Sequence, residues 1–276
     1  MTRPSSKLCA LCALLLPLAA LAADKGSGSS AASDKDSKVP THQKHPVDAH
    51  APKPTGAMVE LTLQKGASKA YLAKPKGDAK GAVLVIHEWW GLNDHIKHTA
   101  DLLAAEGYLA LAIDLYKGVV AKTPEEAGKA MGALDEANGD LVEEAAVEWL
   151  KKESGGKKVA TIGWCMGGGQ SLNASLHDPK DVAATVIYYG MPVTDVAKLK
   201  TLKGPVLGIW ANKDGWITPD KVAAFAAALK EAGIAYTGYA YDADHAFANP
   251  TGGKHNPEAA KDAWGKTLAF LETNLK

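Results

Sequence analysis

The segment Gly163-Trp164-Cys165-Met166-Gly167-Gly168 constrains this chain most, because it joins a strand-like run to a helix-like run. Residues 158–162 read Lys-Val-Ala-Thr-Ile, which is typical of a short buried strand. Residues 167–175 carry little side-chain bulk and favour the start of a closely packed helix. Glycines on both sides allow a sharp backbone turn, so the segment predicts that Cys165 stands exposed at its apex.

Cys165 occupies the position at which such a turn presents a nucleophile. The Gly-x-Cys-x-Gly pattern resembles the nucleophile elbow of α/β-hydrolases, which normally holds serine. A free cysteine is more often a small buried hydrophobe. However, Cys9 and Cys12 lie in a segment that we expect to be removed, which leaves one unpaired thiol in an oxidising compartment. We therefore interpret Cys165 as a reactive nucleophile.

Residues 1–22 predict a secretory signal peptide. Arg3 and Lys7 precede an apolar run over residues 8–21, and small residues near Ala22 fit a cleavage site. The apolar run is too short to span a membrane. We therefore expect a periplasmic or secreted mature protein with no membrane association after cleavage.

Residues 23–56 predict a disordered, low-complexity tether. They are rich in Ser, Lys, Gly, Pro and Asp and poor in large apolar side chains, so they cannot bury enough surface to offset the entropy of ordering. His42, His45 and His50 could bind a metal loosely, but scattered histidines are more often solvent-exposed. We expect no metal there.

Residues 57–276 are the right size for one domain, which we expect to be monomeric. Removing Arg3 and Lys7 from 31 basic side chains leaves 29 against 31 acidic side chains, and the near balance gives no reason to expect nucleic-acid binding. Strand-like and helix-like runs alternate, which predicts an α/β fold with a mostly parallel sheet and helices on both faces. Strands are expected near residues 59–63, 70–73, 82–86, 109–113, 158–162, 183–189, 206–210 and 236–241, and helices near 94–106, 124–138, 140–152, 167–175, 219–232 and from 257 onward, with Gly139 separating two of them.

An acid and a histidine follow later strands, in the order that a nucleophile elbow requires. Asp214 comes shortly after the strand at 206–210, and His245 comes shortly after the strand ending at Tyr241. Sites in α/β sheets form at the carboxyl ends of parallel strands. Asp242 and Asp244 are nearer His245 in sequence, but we prefer Asp214 as the acid because it ends the preceding strand.

His87 and Glu88 end the strand at 82–86. A zinc site of the His-Glu-x-x-His type is excluded, because Gly91 occupies the second histidine position. His95 and His98 are better explained as surface residues than as ligands. Glu88 and the backbone after it are expected to face the same crevice as Cys165.

Four motifs in order resemble the dienelactone hydrolase family over about residues 58–276. They are His87-Glu88-x-x-Gly91-Leu92-Asn93, Asp114-Leu115-Tyr116, Gly163-x-Cys165-x-Gly167-Gly168, and Asp214 followed by His245-x-Phe247. The resemblance implies an α/β-hydrolase fold and a Cys165–Asp214–His245 triad. It also implies that Glu88 contacts the resting thiol and that neither metal nor cofactor is needed.

These roles agree with general chemistry. A thiol at a helix N-terminus beside an imidazole is readily converted to a nucleophilic thiolate, and a carboxylate orients that imidazole. The backbone N–H groups of Met166 and Trp89 are expected to form the oxyanion hole. The expected reaction is hydrolysis of a small-molecule ester or lactone through an acyl-thioester on Cys165.

The sequence departs from the family where its members are understood to hold a substrate carboxylate with arginines. Lys117 and Gly118 occupy one such place and Asn249 the other, and Arg3 is the only arginine in the chain. A lysine supplies charge but no bidentate fork. We therefore expect a neutral ester as the substrate. The expected substrate-binding residues are Trp90, Tyr116, Lys117, Tyr188, Trp216, Phe247 and Asn249; Tyr189 is expected nearby, and Trp164 in the core.

Two other functions stay open at this point. The same fold and thiol could serve a thioesterase or an acyltransferase, which a substrate panel would separate. A non-catalytic binding protein that reaches its partner through the tether is disfavoured, because the predicted triad is intact.

Overall fold

The computed structural model describes residues 52–276. The predicted signal peptide and residues 23–51 of the predicted tether lie outside the described residues. The chain contacts the domain from Thr55, whose N–H donates to Asp101 Oδ2 at 2.8 Å, and the N–H of Gly56 donates to the Tyr71 hydroxyl. Contacts with the domain therefore begin two residues before the predicted boundary. Residues 52–276 contain no helix of the length and apolarity that a membrane crossing requires.

Eight strands form one sheet in the order β1-β2-β4-β3-β5-β6-β7-β8. They are β1 (Ala57–Thr62), β2 (Ala67–Ala73), β3 (Ala82–Ile86), β4 (Leu109–Ile113), β5 (Val159–Trp164), β6 (Val182–Tyr188), β7 (Val206–Ala211) and β8 (Tyr236–Tyr241). The pairs β1–β2 and β2–β4 are antiparallel, and β4, β3, β5, β6, β7 and β8 run parallel. The sheet confirms the predicted mostly parallel α/β fold.

The described part of the chain has seven helices, six between strands and one after β8. They are α1 (Asp94–Ala105), α2 (Pro124–Gly132), α3 (Glu136–Glu153), α4 (Met166–His177), α5 (Val196–Leu199), α6 (Pro219–Ala232) and α7 (Pro257–Leu275). Core clusters lie on the two faces of the sheet, where every residue of β3, β4 and β5 is buried. Burial on both faces explains why β3 and β4 read as continuous apolar runs.

The predicted break at Gly139 is wrong. The chain leaves helical geometry between Gly132 and Glu136, and Gly139 lies inside the first turns of α3. The N–H of Gly139 donates to the carbonyl of Asp135, the residue that precedes α3, at 2.8 Å. A glycine inside a helix costs about 1 kcal/mol relative to alanine, which packing can offset, so it does not by itself end a helix. The short helix α5 was also not predicted.

Buried hydroxyl groups fix α4 against the sheet. Thr161 Oγ1 on β5 donates to the carbonyl of Ser171 at 3.0 Å, and Ser171 Oγ donates to the carbonyl of Val186 on β6 at 2.9 Å. Thr185 Oγ1 donates to Ser175 Oγ at 2.7 Å. Because α4 begins directly after Cys165, these bonds also fix the position of the elbow.

Candidate active site

Cys165 lies at the sharp turn between β5 and α4. Its φ of 55° and ψ of −119° place it in a region that side-chain-bearing residues rarely adopt, as expected for a strained functional turn. A Cβ on Gly163 would lie 1.9 Å from the carbonyl oxygen of Gly167, and a Cβ on Gly167 would lie 2.4 Å from that of His87. The turn therefore requires both glycines, and it presents Cys165 above the carboxyl end of the sheet.

Asp214 and His245 meet beside this turn. Asp214 follows β7, His245 follows β8, and Asp214 Oδ2 lies 2.5 Å from His245 Nδ1. The other carboxylate oxygen of Asp214 accepts from the N–H groups of Trp216 at 2.8 Å and Ile217 at 3.0 Å. The acid is thus held by its own loop and is aimed at the imidazole.

The two rival acids face lysines instead. Asp242 is 3.1 Å from Lys213 Nζ, and Asp244 is 3.5 Å from Lys254 Nζ. The structure therefore brings Asp214, rather than either closer aspartate in sequence, to His245.

The electrostatics favour a charged pair. Burial lowers the pKa of His245, but the hydrogen bond to Asp214 and the interaction with Cys165 outweigh burial and raise this pKa to about 10. Burial raises the pKa of Asp214, but bonds from His245, Ile217 and Trp216 outweigh it, so the net pKa is lowered. His245 Nε2 is buried, and the interaction of the ring with Cys165 places this nitrogen toward the thiol. This nitrogen is therefore placed to exchange a proton with a reacting group.

A cavity of about 840 Å³ opens over Cys165 and His245. Trp89, Trp90, Met131, Met191, Pro192 and Trp216 supply much of its apolar lining. Trp216 is 67% exposed and Met191 is 53% exposed, so large apolar surfaces meet solvent at its rim. Such a cavity suits an apolar small molecule with its reacting group at the thiol.

Glu88 is buried close to the pair. Its Oε2 accepts from Asn249 Nδ2 at 2.5 Å, while its Oε1 has no hydrogen-bond partner among the residues that the structure describes. Burial raises the pKa of Glu88 to about 7, against the opposing effects of the Asn249 bond and the charge of His245.

Met166 and Trp89, the two residues predicted to supply oxyanion-hole N–H groups, lie at the same cavity as Cys165. Met166 begins α4, and the first N–H groups of a helix have no acceptor within it. Trp89 follows β3, and both residues line the cavity together with Cys165. Their placement suits the oxyanion-hole role predicted for them.

Comparisons with known proteins agree with this architecture. The model of the dienelactone hydrolase family matches residues 68–275. This chain belongs to the dienelactone hydrolase family. "Protein usf" of Aquifex pyrophilus is 35% identical over 230 residues, covering 80% of this chain and 99% of that protein. A "Putative carboxymethylenebutenolidase" of Aquifex aeolicus is 35% identical over 231 residues, covering 80% of this chain and 100% of that protein.

The fold is also that of the solved relatives. The crystal structure of a dienelactone hydrolase from Anabaena variabilis superposes with a TM-score of 0.62 at 22% identity, covering 82% of this chain and 100% of that one. As a member of the dienelactone hydrolase family, the protein is a carboxylic ester hydrolase with an α/β-hydrolase fold.

Three of the predicted substrate contacts line the cavity of this dienelactone hydrolase family member, namely Trp90, Trp216 and Asn249. The amide of Asn249 is already bonded to Glu88, which leaves it poorly placed to take the role of a carboxylate-binding arginine. The ring of Trp216 lies 5.3 Å from that of His245 and covers one side of it.

The placement of Tyr188 and Phe247 at the cavity was wrong. Tyr188 ends β6 inside the core, and its hydroxyl lies 2.6 Å from Thr267 Oγ1. Phe247 is fully buried and packs its ring 5.6 Å from that of Tyr189. Both side chains therefore support the elements of the site from within the core, as does Trp164, which is buried as expected.

Tyr116 and Lys117 also lie away from the cavity lining. Tyr116 is buried with its ring 4.7 Å from that of His87, and its hydroxyl is 4.0 Å from Met166 Sδ, so it supports the site from behind. Lys117 is exposed in a left-handed turn with φ 53° and is not part of the lining. The expectation that Lys117 supplies positive charge to the cavity is therefore corrected.

Lys254 and Tyr189 were not predicted as substrate contacts, yet both line the cavity. The signal for Tyr189 was its position directly after β6; its φ of 35° turns its ring to within 5.1 Å of the His245 ring. No local pattern marked Lys254, because the loop after His245 brings it to the cavity.

His87 holds the loop after β3 and has no ligand role. Its Nδ1 donates to the carbonyl of Glu88 at 2.6 Å, and its Nε2 accepts from the N–H of Leu115 at 3.2 Å. Burial lowers its pKa, so the neutral ring that these two bonds require is the stable form.

Proposed function

We propose that this member of the dienelactone hydrolase family is a cysteine hydrolase that cleaves esters or lactones through a covalent acyl-thioester. Cys165 is the nucleophile, His245 the general base and acid, and Asp214 the residue that orients His245. The observation that supports this most is the 2.5 Å contact between Asp214 and His245 beside Cys165 at the floor of the cavity.

The chemistry follows from these positions. Transfer of the thiol proton to His245 Nε2 gives a thiolate–imidazolium pair, which the raised pKa of His245 favours, and Cys165 Sγ then attacks the carbonyl carbon. The resulting oxyanion accepts hydrogen bonds from the N–H groups of Met166 and Trp89. His245 then protonates the departing alkoxide, and a water molecule activated by the same nitrogen hydrolyses the thioester and regenerates the thiol.

Glu88 assists the resting thiol in this proposal. Its free Oε1 and its raised pKa allow the carboxyl group to exchange a proton near neutral pH. A buried group with these properties can stabilise the thiol before substrate binds and release it afterwards. The residues present fit a mechanism without a cofactor.

The substrate class in this proposal is a neutral, apolar ester. Asn249 is engaged with Glu88, Lys117 is outside the lining, and Lys254 lies 3.5 Å from Asp244. A charge-assisted bidentate contact contributes roughly 1.5–3 kcal/mol, so losing two arginines removes about 2–4 powers of ten of preference for a carboxylate.

The substrate proposal is tested with a dienelactone carboxylate and its methyl ester. We expect the ratio of kcat/KM, acid over ester, to stay below about ten, since Lys254 is partly neutralised. A ratio of a hundred or more would contradict the proposal. If that ratio then fell in Lys254→Met, Lys254 would be the cation that binds the substrate carboxylate. The same panel includes thioesters and aryl esters of graded acyl length. Faster turnover of the aryl esters would indicate an ester hydrolase, and faster turnover of the thioesters would indicate a thioesterase.

The nucleophile is tested by Cys165→Ala and by alkylation. Either change should abolish ester hydrolysis while the circular dichroism spectrum stays that of the parent, because the thiol lies at a surface turn. One equivalent of iodoacetamide should be enough to inactivate the parent. In Cys165→Ala, which lacks the thiol, no label should appear at position 165. Full activity after either treatment would overturn the assignment.

We also propose that the protein is exported and that residues 1–22 are cleaved, since they combine Arg3 and Lys7 with an apolar run and small residues near Ala22. N-terminal sequencing of protein from the extracytoplasmic fraction tests this. A start near residue 23 is expected, and an intact Met1 in the cytoplasmic fraction would contradict it.

A further inference from the structure

Three potential metal ligands meet on α3 and α4, on the side of the domain away from the elbow. Asp140 and Glu143 are three residues apart and so share a face of α3. His177 is the last residue of α4. One ligand atom from each lies within 4.8 Å of the other two, and His177 Nδ1 is 3.0 Å from Asp140 Oδ1.

Glu143 is the unusual member of this cluster. The residue is only 1% exposed, and neither of its carboxylate oxygens has a hydrogen-bond partner anywhere in residues 52–276. Burying a carboxyl group without a partner is costly, and native proteins rarely leave one in that condition. A buried, unpartnered carboxyl group facing a histidine and a second carboxylate has the geometry of a ligand.

The surrounding charges also attract a cation. Asp178 interacts electrostatically with Asp181 and Glu144 at the adjoining end of α4. Lys151, which also acts on Asp178, is paired with Asp181. The cluster therefore lies near several carboxylates, and the charge of Lys151 is already engaged by Asp181.

We propose that Asp140, Glu143 and His177 form a binding site for a divalent transition metal, for which Zn²⁺ is the best match. One imidazole nitrogen and two carboxylate oxygens are ligands that zinc accepts, and water completes a tetrahedral site with three protein ligands. The side chains of Asp140 and His177 are 42% and 52% exposed, which gives the ion a path from solvent to Glu143. This proposal uses residues other than His42, His45 and His50, and it departs from the expectation, drawn from the sequence, that the chain holds no metal.

The role of the ion is structural. Cys165 precedes the first residue of α4 and His177 is its last, so the 12 residues of the helix place about 18 Å between the two ends at 1.5 Å per residue. An ion at that distance cannot touch the reacting atoms. It would instead join α3 to the C-terminal end of the helix that carries the elbow.

The test measures Zn²⁺ binding to the mature protein by equilibrium dialysis, after Cys165 has been alkylated so that its thiol does not contribute. Glu143→Gln and His177→Gln each remove one ligand, and Glu148→Gln is the matched control on the exposed side of α3. We expect the parent and the control to bind one zinc ion per chain. The two ligand variants should bind none, or should bind it at least about tenfold more weakly.

The melting temperature is the second readout. Zinc should raise it in the parent and in Glu148→Gln, but not in Glu143→Gln or His177→Gln. If Glu143→Gln fails to fold, His177→Gln decides, because that side chain is exposed and its loss leaves no buried gap. Unchanged zinc binding in His177→Gln would overturn the site. A zinc-dependent kcat with an unchanged melting temperature would overturn the structural role.

Discussion

Asp214 and Glu88 are both buried carboxylates at the carboxyl ends of strands in one site, yet their surroundings differ. Asp214 is 4% exposed and accepts from the imidazole of His245 and from two backbone N–H groups. Glu88 is 3% exposed, and within residues 52–276 it accepts from Asn249 alone, with its Oε1 left without a partner. Both carboxyl groups are shielded from solvent, but Glu88 lies deeper in the protein and has fewer donors, so depth and partners together decide which carboxylate stays charged.

The two pKa values move in opposite directions as a result. Burial raises the pKa of Asp214, but its three donors more than compensate and lower it below its ordinary value. Burial raises the pKa of Glu88 to about 7, because the Asn249 bond and the charge of His245 compensate only in part. Asp214 is therefore suited to holding a positively charged imidazole, and Glu88 to gaining and losing a proton near neutral pH.

The largest effect is expected at Asp214. Asp214→Asn keeps the shape of the side chain but reverses the tautomer preference of His245, so kcat/KM should fall by about 10³–10⁴-fold. Asp242→Asn and Asp244→Asn are the controls, since both face lysines, and each should stay within about threefold of the parent. Steady-state kinetics on an aryl ester measure all three. A dead Asp244→Asn beside an active Asp214→Asn would refute the assignment.

Glu88→Gln should change how stability depends on pH. The pKa of Glu88 rises from 4.5 to about 7 on folding, so its proton stabilises the folded protein fully below pH 4.5, and this contribution is lost as pH rises through 7. Between pH 5 and pH 8 the parent should lose roughly 2 kcal/mol of unfolding free energy that Glu88→Gln retains.

Urea unfolding at the two pH values measures this difference. Glu148→Gln is the matched control, because it makes the same chemical change at an exposed position and should follow the parent. Parallel behaviour of the parent and Glu88→Gln would show that Glu88 is as well compensated as Asp214, which would remove the contrast between them.

A smaller effect is expected at Asn249. Asn249→Ala removes the donor that lowers the pKa of Glu88, so an inflection of kcat/KM near pH 7 should move to higher pH, with a loss of activity of about threefold to tenfold. Thr251→Val is the control, because Thr251 Oγ1 bonds only the other end of this amide, at 2.7 Å from Asn249 Oδ1. If the inflection of kcat/KM moved by the same amount in both variants, the effect would come from the loop and not from Glu88.

The fold and the positions of Cys165, Asp214 and His245 were predictable from the sequence, because each follows a recognisable strand: β5 and β7 are buried, and β8 is a partly exposed edge strand. Parallel strands bring their carboxyl ends together, so order along the chain was enough to predict proximity. The contact between Asp214 and His245 shows why the preceding strand was a better guide than closeness in sequence, which favoured Asp244.

The cavity lining was less predictable, because it depends on which way single side chains point. Tyr188 and Tyr189 are adjacent, but only Tyr189 lines the cavity, since Tyr188 still alternates into the core as part of β6. Lys254 reaches the cavity through a loop without periodicity. The cluster of Glu143 and His177 depends on how α3 packs on α4, which no local pattern encodes.

The most direct test of a Cys165 nucleophile is to trap the acyl-enzyme. The protein is mixed with an activated aryl ester, quenched in acid within one turnover and analysed by peptide mass spectrometry. The account predicts a burst of about one aryl alcohol per chain and an acyl group on the peptide that contains Cys165, with both absent in Cys165→Ala. Turnover by Cys165→Ala at the parent rate, or an acyl group found only on another side chain, would contradict it.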